Sequence, residues 1–315
     1  HDRNHDNLPE WEHLIQTGFE AHPLFSRWHS WGRGVDISTV HSPSLFAALY
    51  KEAVSLQKIA QLLGEKNETP LLAKQCNILQ EGAQACWEPR HAAYRHLDRD
   101  SSLAQRGKIL HRQEGGGTIK LKADFEKPVR LLIEIRPKDK ATRRPHAEIN
   151  DFVTKEGNDE HLLPLDFKAS SDGSVATSQK VYTRIGKIVI DDVEGEDKII
   201  IRTVDLTADD QTQLLPLWAG MMDKQQTKTL VSRTISNAQK FDRPFGLPAC
   251  PTPPTKSAEA TCLSVHLPWN LLVIEGLLAH HYSEQATRIF AHLMNGIIQN
   301  LKNNHAFYQR YNAEV

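Results

Sequence analysis

Two kinds of periodicity divide the chain. Between residues 42 and 64, Leu45, Leu49, Ala53, Leu56, Ile59, Ala60 and Leu63 recur at helical spacing on one face. Ser42-Pro43 supplies a cap and a first-turn proline, and Gly64 supplies the stop. A second amphipathic helix is predicted over residues 70–86, with Leu71, Leu72, Ala73, Cys76, Leu79 and Ala83 inward. From residue 110 the pattern changes to alternating and β-branched runs at 118–121, 129–135, 181–190 and 198–204, separated by turns such as Ser171-Asp172-Gly173. These predict a β module of about five to seven strands, built as a small sandwich. Helical spacing returns at Asp223, which caps a helix to about Lys240; after a Pro-rich loop, two more helices lie in 268–300. The expected protein is mainly α, with helical segments at 1–109 and 208–315 and a β-sandwich-like insert at 110–207. The helical segments must pack on each other to bury their apolar faces.

Composition narrows the function classes. The 315 residues are 39% hydrophobic and 24% charged, as in globular proteins. A formal net charge of −1 gives no field that favours nucleic acid or an anionic membrane. The longest apolar run, 271–279, contains Glu275 and is too short to span a bilayer. The expectation is therefore neither nucleic acid nor membrane as partner, with the compartment unassigned. Cys76 and Cys86 read as small buried hydrophobes, whereas Cys250 and Cys262 flank the Pro-rich loop and are either bridged or free.

Candidate chemistry concentrates in residues 16–31, QTGFEAHPLFSRWHSW. Glu20 stands among Arg27, Trp28, Trp31 and two histidines in a Gly/Pro-bent loop. Flat aromatics for a pyranose face, a guanidinium for hydroxyls and an adjacent acid suit a sugar site; a cap on a helix bundle is the alternative. Residues 2–10 place Asp2, Asn4, Asp6 and Glu10 where they could curl around a hard cation, with the Leu8 carbonyl as a further ligand. Asn7 stands where such loops usually turn with glycine; a metal-free polar turn is the alternative. Trp218 belongs to an apolar elbow at 214–220, His266, Trp269 and Asn270 to a helix start, and Gln309, Tyr311 and Glu314 to a polar tail.

The order of these segments resembles the (α/α)6 glycosidases, the group of trehalases, glucoamylases and processing α-glucosidase I (glycoside hydrolase family 63-like). The DRNHDNLPE loop resembles that group's calcium loop, TGFE its general-acid motif, and PLWAG, FGLP and PWNLLVIEGL its later elements. The tail resembles the segment that carries the catalytic base. The resemblance implies a partial toroid interrupted by the β insert, with the remaining toroid helices outside these residues. It implies an inverting hydrolysis of an oligosaccharide, an α-glucoside, with Glu20 as general acid and a structural Ca2+ at Asp2, Asn4, Asp6, Leu8 and Glu10. Arg27, Trp28, Trp31, Trp218, His266, Trp269, Asn270, Gln309 and Tyr311 then line the sugar. Two differences stand out: Glu20 replaces the more frequent Asp, and the amide Gln309 occupies the place of the base, which leaves Glu314 as the nearest alternative base and Glu275 as another. A catalytically inactive carbohydrate binder and a helical interaction scaffold with a β module are the alternatives.

Overall fold

The computed structural model describes residues 1–19, 22–139, 141–150 and 159–314. Before the large sheet come β1 (Val40–His41), the helices α1 (Pro43–Leu63) and α2 (Glu68–Ala85), and the short strands β2 (Trp87–Glu88), β3 (Ala93–Tyr94) and β4 (Leu97–Asp98). α1 starts at the Ser42-Pro43 pair and stops at Gly64, whose φ of 75° a residue without Cβ adopts freely. The Ser42 hydroxyl, however, meets Ser44 Oγ at 2.8 Å instead of capping the helix backbone. Only half of the predicted apolar face is used: Leu45, Ala53 and Ala60 are buried, while Leu56, Ile59 and Leu63 are exposed.

The strands β5 (Ile109–Glu114), β6 (Gly117–Arg136), β7 (His146–Asn150), β8 (Glu160–Leu162), β9 (Lys168–Ser170), β10 (Gly173–Asp191) and β11 (Lys198–Thr203) follow. They form one seven-stranded sheet in the order β5-β11-β6-β10-β7-β8, with β9 beside β10. The chain is thus a mixture of helix and sheet, and its strands join in one hydrogen-bonded sheet instead of two separate ones. The reason is the length of two strands. The runs at 118–121 and 129–135 are the two ends of β6, joined through an exposed polar middle. β6 pairs with β10 from Ile135↔Ser174 to Gly117↔Ile190. Three register shifts along that ladder bend it, as bulges do. Ile119, Ile133, Ile188, Ile190, Ile199 and Ile201 pack into a core to which no helix contributes.

After the sheet come α3 (Leu215–Ala219), α4 (Lys224–Leu230), α5 (Glu259–Cys262), β12 (Ser264–His266), α6 (Leu267–Ala279), α7 (Ser283–Asn304) and β13 (Arg310–Asn312). Asp223 caps α4 through a reciprocal box with Gln226, but the helix widens into a π turn at Val231–Ile235 and ends short of Lys240. Phe46 and Leu79 from before the sheet share one core with Leu217, Leu230, Val273, Leu277 and Ile289 from after it. α3 and α6 approach closely, since a Cβ on Gly276 would lie 2.8 Å from the Trp218 backbone nitrogen. Two devices fix the sheet to this helical body. Leu132 and Val175 pack against Leu24, Phe25, Val35 and Ile37. Arg130 of β6, buried, also pairs with Asp98 and Asp100 at 2.5 Å each. No described helix is long and apolar enough to cross a membrane.

Candidate active site

The loop ahead of Glu20 is rigidly built. A 3-10 turn at Leu14–Thr17 is capped by His13 in a box with Gln16 and closed by Gly18 at φ 66°. Glu20 and Ala21 lie outside the described residues, but Phe19 and His22 on either side are buried. The Phe19 ring lies 5.2 Å from His266, 5.9 Å from Trp269 and 6.0 Å from His22. Trp31 joins the same apolar cluster, stacked on His29 at 4.8 Å. His266 and Trp269 sit where β12 passes into α6, and β12 pairs with β13 so that His266 faces Arg310 and Val265 faces Tyr311. Phe19 therefore meets His266 and Trp269 from far along the chain, and Arg310–Asn312 lies beside that segment through its pairing with β12.

Burial, reinforced by the positive charge of Arg310, pushes His266 down to about 4. The unfolded chain binds that proton nearer the ordinary value of 6.5, so the stabilisation is complete above pH 6.5 and is lost as pH falls toward 4. Urea unfolding at pH 7.5, 5.5 and 4.5 is expected to show a smaller loss of stability for His266→Gln than for the parent. Equal losses would show that the unfolded chain gains no extra proton at His266.

Behind Phe19 lies a buried polar cluster that the sequence did not reveal. Asp210 Oδ2 meets His22 Nε2 at 3.1 Å and His96 Nε2 at 3.2 Å, and all three residues are at most 1% exposed. Phe25 packs on both imidazoles, at 4.3 and 5.2 Å. Asp210 Oδ1 accepts from the Thr212 N–H at 2.8 Å, the cap of a short 3-10 turn. Burial would raise the Asp210 carboxyl, but His22 and His96 outweigh it and hold the group well below the usual carboxylate range. Burial lowers His96 and keeps it neutral. The candidate ligand atoms lie within 4.8 Å of one another. Metal-bound histidines nevertheless donate their second N–H to an acceptor. His22 Nδ1 instead accepts from Leu24 N–H at 3.2 Å, and His96 Nδ1 has no partner. Only His96 Nε2 hydrogen-bonds the Asp210 carboxylate, while His22 Nε2 stands 3.1 Å from it without hydrogen-bond geometry, and neither second ring nitrogen donates as a metal ligand's would. Its only trace in sequence is a polar run, 207–213, that reads as surface.

The remaining predicted residues divide among several places. Arg27 and Trp28 leave the Phe19 cluster: Trp28 is 60% exposed with the Arg27 guanidinium 5.0 Å above its ring. Trp218 donates to Glu275 Oε2 at 3.1 Å and packs under Lys51, at the α3–α6 contact. Asn270 is fully buried, and its amide accepts from Leu247 N–H at 2.8 Å and donates to Leu247 O and His266 O. It pins the FGLP loop to α6, so its amide is occupied internally, which corrects its expected contact with sugar. Tyr311 is buried on β13 and its hydroxyl accepts from Tyr308 N–H, while Gln309 is exposed just before it. Glu314 is ion-paired with Arg243 at 3.2 Å. Cys250 and Cys262 are both buried and not bridged by a disulfide, with Cys250 N–H donating to Cys262 O at 2.9 Å.

In the N-terminal loop, the Asp2 carboxylate accepts from the N–H of Asp6 at 3.1 Å and of Asn7 at 3.0 Å. The chain turns at Asn7 with φ 70°. Asp6 Oδ2 and Glu10 Oε1 stand 3.3 and 3.9 Å from His41 Nε2. Asn4 Oδ1 and Glu10 Oε1 are buried oxygens without a hydrogen-bond partner.

No protein-family model and no curated protein matches this chain. Among solved structures the chain is similar to part of neutral trehalase Nth1 from Saccharomyces cerevisiae, with a TM-score of 0.50 at 11% identity, over 91% of this chain and 36% of that one. It also aligns with the GH63 mannosylglycerate hydrolase of Thermus thermophilus in complex with Tris, with a TM-score of 0.47 at 12% identity, over 88% of this chain and 41% of that one. At these identities the likeness to the trehalase concerns the fold. The chain spans well under half of either protein.

Proposed function

We propose that this chain carries the acid side of an inverting glycoside hydrolase site that acts on an oligosaccharide, an α-glucoside, with Glu20 as general acid. The observation behind this reading is that Phe19, next to Glu20 in sequence, packs against His266 and Trp269, with Arg310–Asn312 paired beside His266. Phe19, the neighbour of Glu20 in sequence, packs in one cluster with Trp31 and Trp269, and apolar surroundings of that kind favour the protonated form of an acid, as a proton donor to a leaving oxygen requires. An inverting partner must stand roughly 6.5–9.5 Å from the acid to admit water. Glu314 is the candidate base on this chain, and it serves only if it leaves Arg243. That ion pair and the amide of Gln309 favour a second reading, a sugar-binding relative without turnover. Incubation of the whole protein with trehalose, maltose and aryl α-glucosides separates the two, because only the hydrolase releases product.

The N-terminal loop fits a structural Ca2+. Hard cations take oxygen ligands, and the unpartnered Asn4 Oδ1 and Glu10 Oε1 are buried oxygens that nothing else satisfies. Asp2, Asp6 and the Leu8 carbonyl would complete the set. The ion would brace the loop that leads to Glu20 and neutralise its carboxylates. A chelator is expected to lower the melting temperature, with recovery on adding calcium in excess but not magnesium. An unchanged melting curve would leave the loop a metal-free turn.

A further inference from the structure

Cys250 and Cys262 stand at the two ends of the Pro-rich loop 251–261, and both are fully buried. Between them Thr252, Pro254, Thr255, Lys256 and Ser257 are exposed, so the segment runs out to solvent and back. Two backbone bonds fasten its ends, Ala249 N–H to Ser264 O at 2.8 Å and Cys250 N–H to Cys262 O at 2.9 Å. A direct bond of that kind holds two Cα atoms about 5–6 Å apart, within the span that a disulfide bridges. The side chains turn to the same side: the two sulfurs hydrogen-bond each other, inside the apolar cluster that holds Phe19, Trp31, Ala249 and Ala258.

A thiol is a weak donor and a weak acceptor, so packing alone gives no reason for two of them to face each other. The other cysteines do not pair in this way. Burial raises Cys86 and, chiefly, Cys76, and neither has a thiol among the groups acting on it. The facing pair is also asymmetric. The hydrogen bond from Cys250 lowers the Cys262 thiol against the effect of burial, while that bond, burial and the charge of Asp210 raise Cys250. Cys262 is therefore the sulfur that gives up its proton first, with Cys250 held beside it as the resolving thiol.

We propose that Cys250 and Cys262 are a modification site, a dithiol that hydrogen peroxide converts to an intrachain disulfide, stapling the Pro-rich loop beside Phe19. The Cys262 thiolate attacks one peroxide oxygen; the O–O bond breaks, leaving a sulfenic acid on Cys262 and a hydroxide that takes the Cys262 proton to become water. Cys250 sulfur then attacks Cys262 sulfur. The S–O bond breaks as the S–S bond forms, and the departing hydroxide takes the Cys250 proton to become a second water. Two electrons pass from the thiols to one peroxide. A reducing compartment keeps the dithiol, and an oxidising one keeps the staple. The bond forms whether or not the chain turns over a sugar.

The test treats the whole protein with a small excess of hydrogen peroxide or with dithiothreitol, unfolds it in guanidinium with iodoacetamide, and digests it with trypsin. Lys256 lies between the two cysteines, so trypsin parts them into two peptides that only a disulfide holds together. The peroxide sample is expected to contain that linked pair, lighter by two hydrogens than its reduced halves, with Cys76 and Cys86 alkylated. The dithiothreitol sample is expected to have all four cysteines alkylated. Closing the loop constrains the unfolded chain, so the melting temperature is expected to be at least about 3 °C higher oxidised than reduced. Cys250→Ala and Cys262→Ala are each expected to lose the linked peptides and the redox-dependent shift. Alkylation of both Cys250 and Cys262 after peroxide would overturn the proposal. So would a sulfinic acid, a link to Cys76, Cys86 or a second chain in place of the 250–262 bond, or equal melting temperatures in the two redox states. The comparison of oxidised with reduced parent decides the outcome even where a variant fails to fold.

Discussion

Asp210→Asn is expected to destabilise the protein by about 1–3 kcal/mol, the usual cost of leaving a buried hydrogen-bonding group unsatisfied. The mechanism is specific. Asp210 Oδ2 bonds His96 Nε2 and stands 3.1 Å from His22 Nε2, and all three residues are at most 1% exposed. An amide nitrogen in place of Oδ2 would set three donors against one another; the flipped amide would instead abandon the Thr212 N–H that Oδ1 accepts. Urea unfolding of parent and variant at pH 7.5 measures the effect, provided the slopes agree. A loss below about 1 kcal/mol would mean that the carboxylate does not hold His96. Because His22 is two residues from Glu20, the same variant is expected to reduce any turnover more than its residual folded fraction explains.

Glu20→Gln is expected to lower hydrolysis by at least about 10²-fold while leaving oligosaccharide affinity within about tenfold. The amide keeps the shape and much of the hydrogen bonding of the acid and removes the proton that a leaving oxygen needs. The effect should be smaller on aryl α-glucosides with good leaving groups, which depart with less protonation, than on trehalose or maltose. That difference separates a general acid from a residue that only holds the loop. Equal losses on all substrates, or near-parental turnover, would remove Glu20 from the role.

Much of this arrangement was legible because local chemistry and global fold agree. The Ser42-Pro43 start and the Gly64 stop bound α1 in the structure. Asn7 turns the acidic loop with a positive φ. The PWN segment opens α6 and delivers Trp269 to Phe19. What stayed hidden required contacts between distant residues. The polar middle of β6 breaks its apolar pattern, so one bent strand of 20 residues reads as two short ones. Asp210 looks like a surface cap because its own neighbours in sequence are polar, and only folding brings His22 and His96 to it. Trp28 and Trp31 are three residues apart yet part company, since Gly32 is pressed against the Ser26 carbonyl, where a Cβ would lie 2.2 Å away. That tight turn sends Trp31 inward and leaves Trp28 exposed.

The central claim is that Glu20 acts as the proton donor of an inverting glycosidase, and the configuration of the first product reports on it most directly. Proton NMR of the whole protein acting on an aryl α-glucoside with a poor leaving group is expected to show β-glucose first, with the α anomer growing in by mutarotation, and little early product with Glu20→Gln. Initial α-glucose, or β-glucose released at the parental rate by Glu20→Gln, would contradict it.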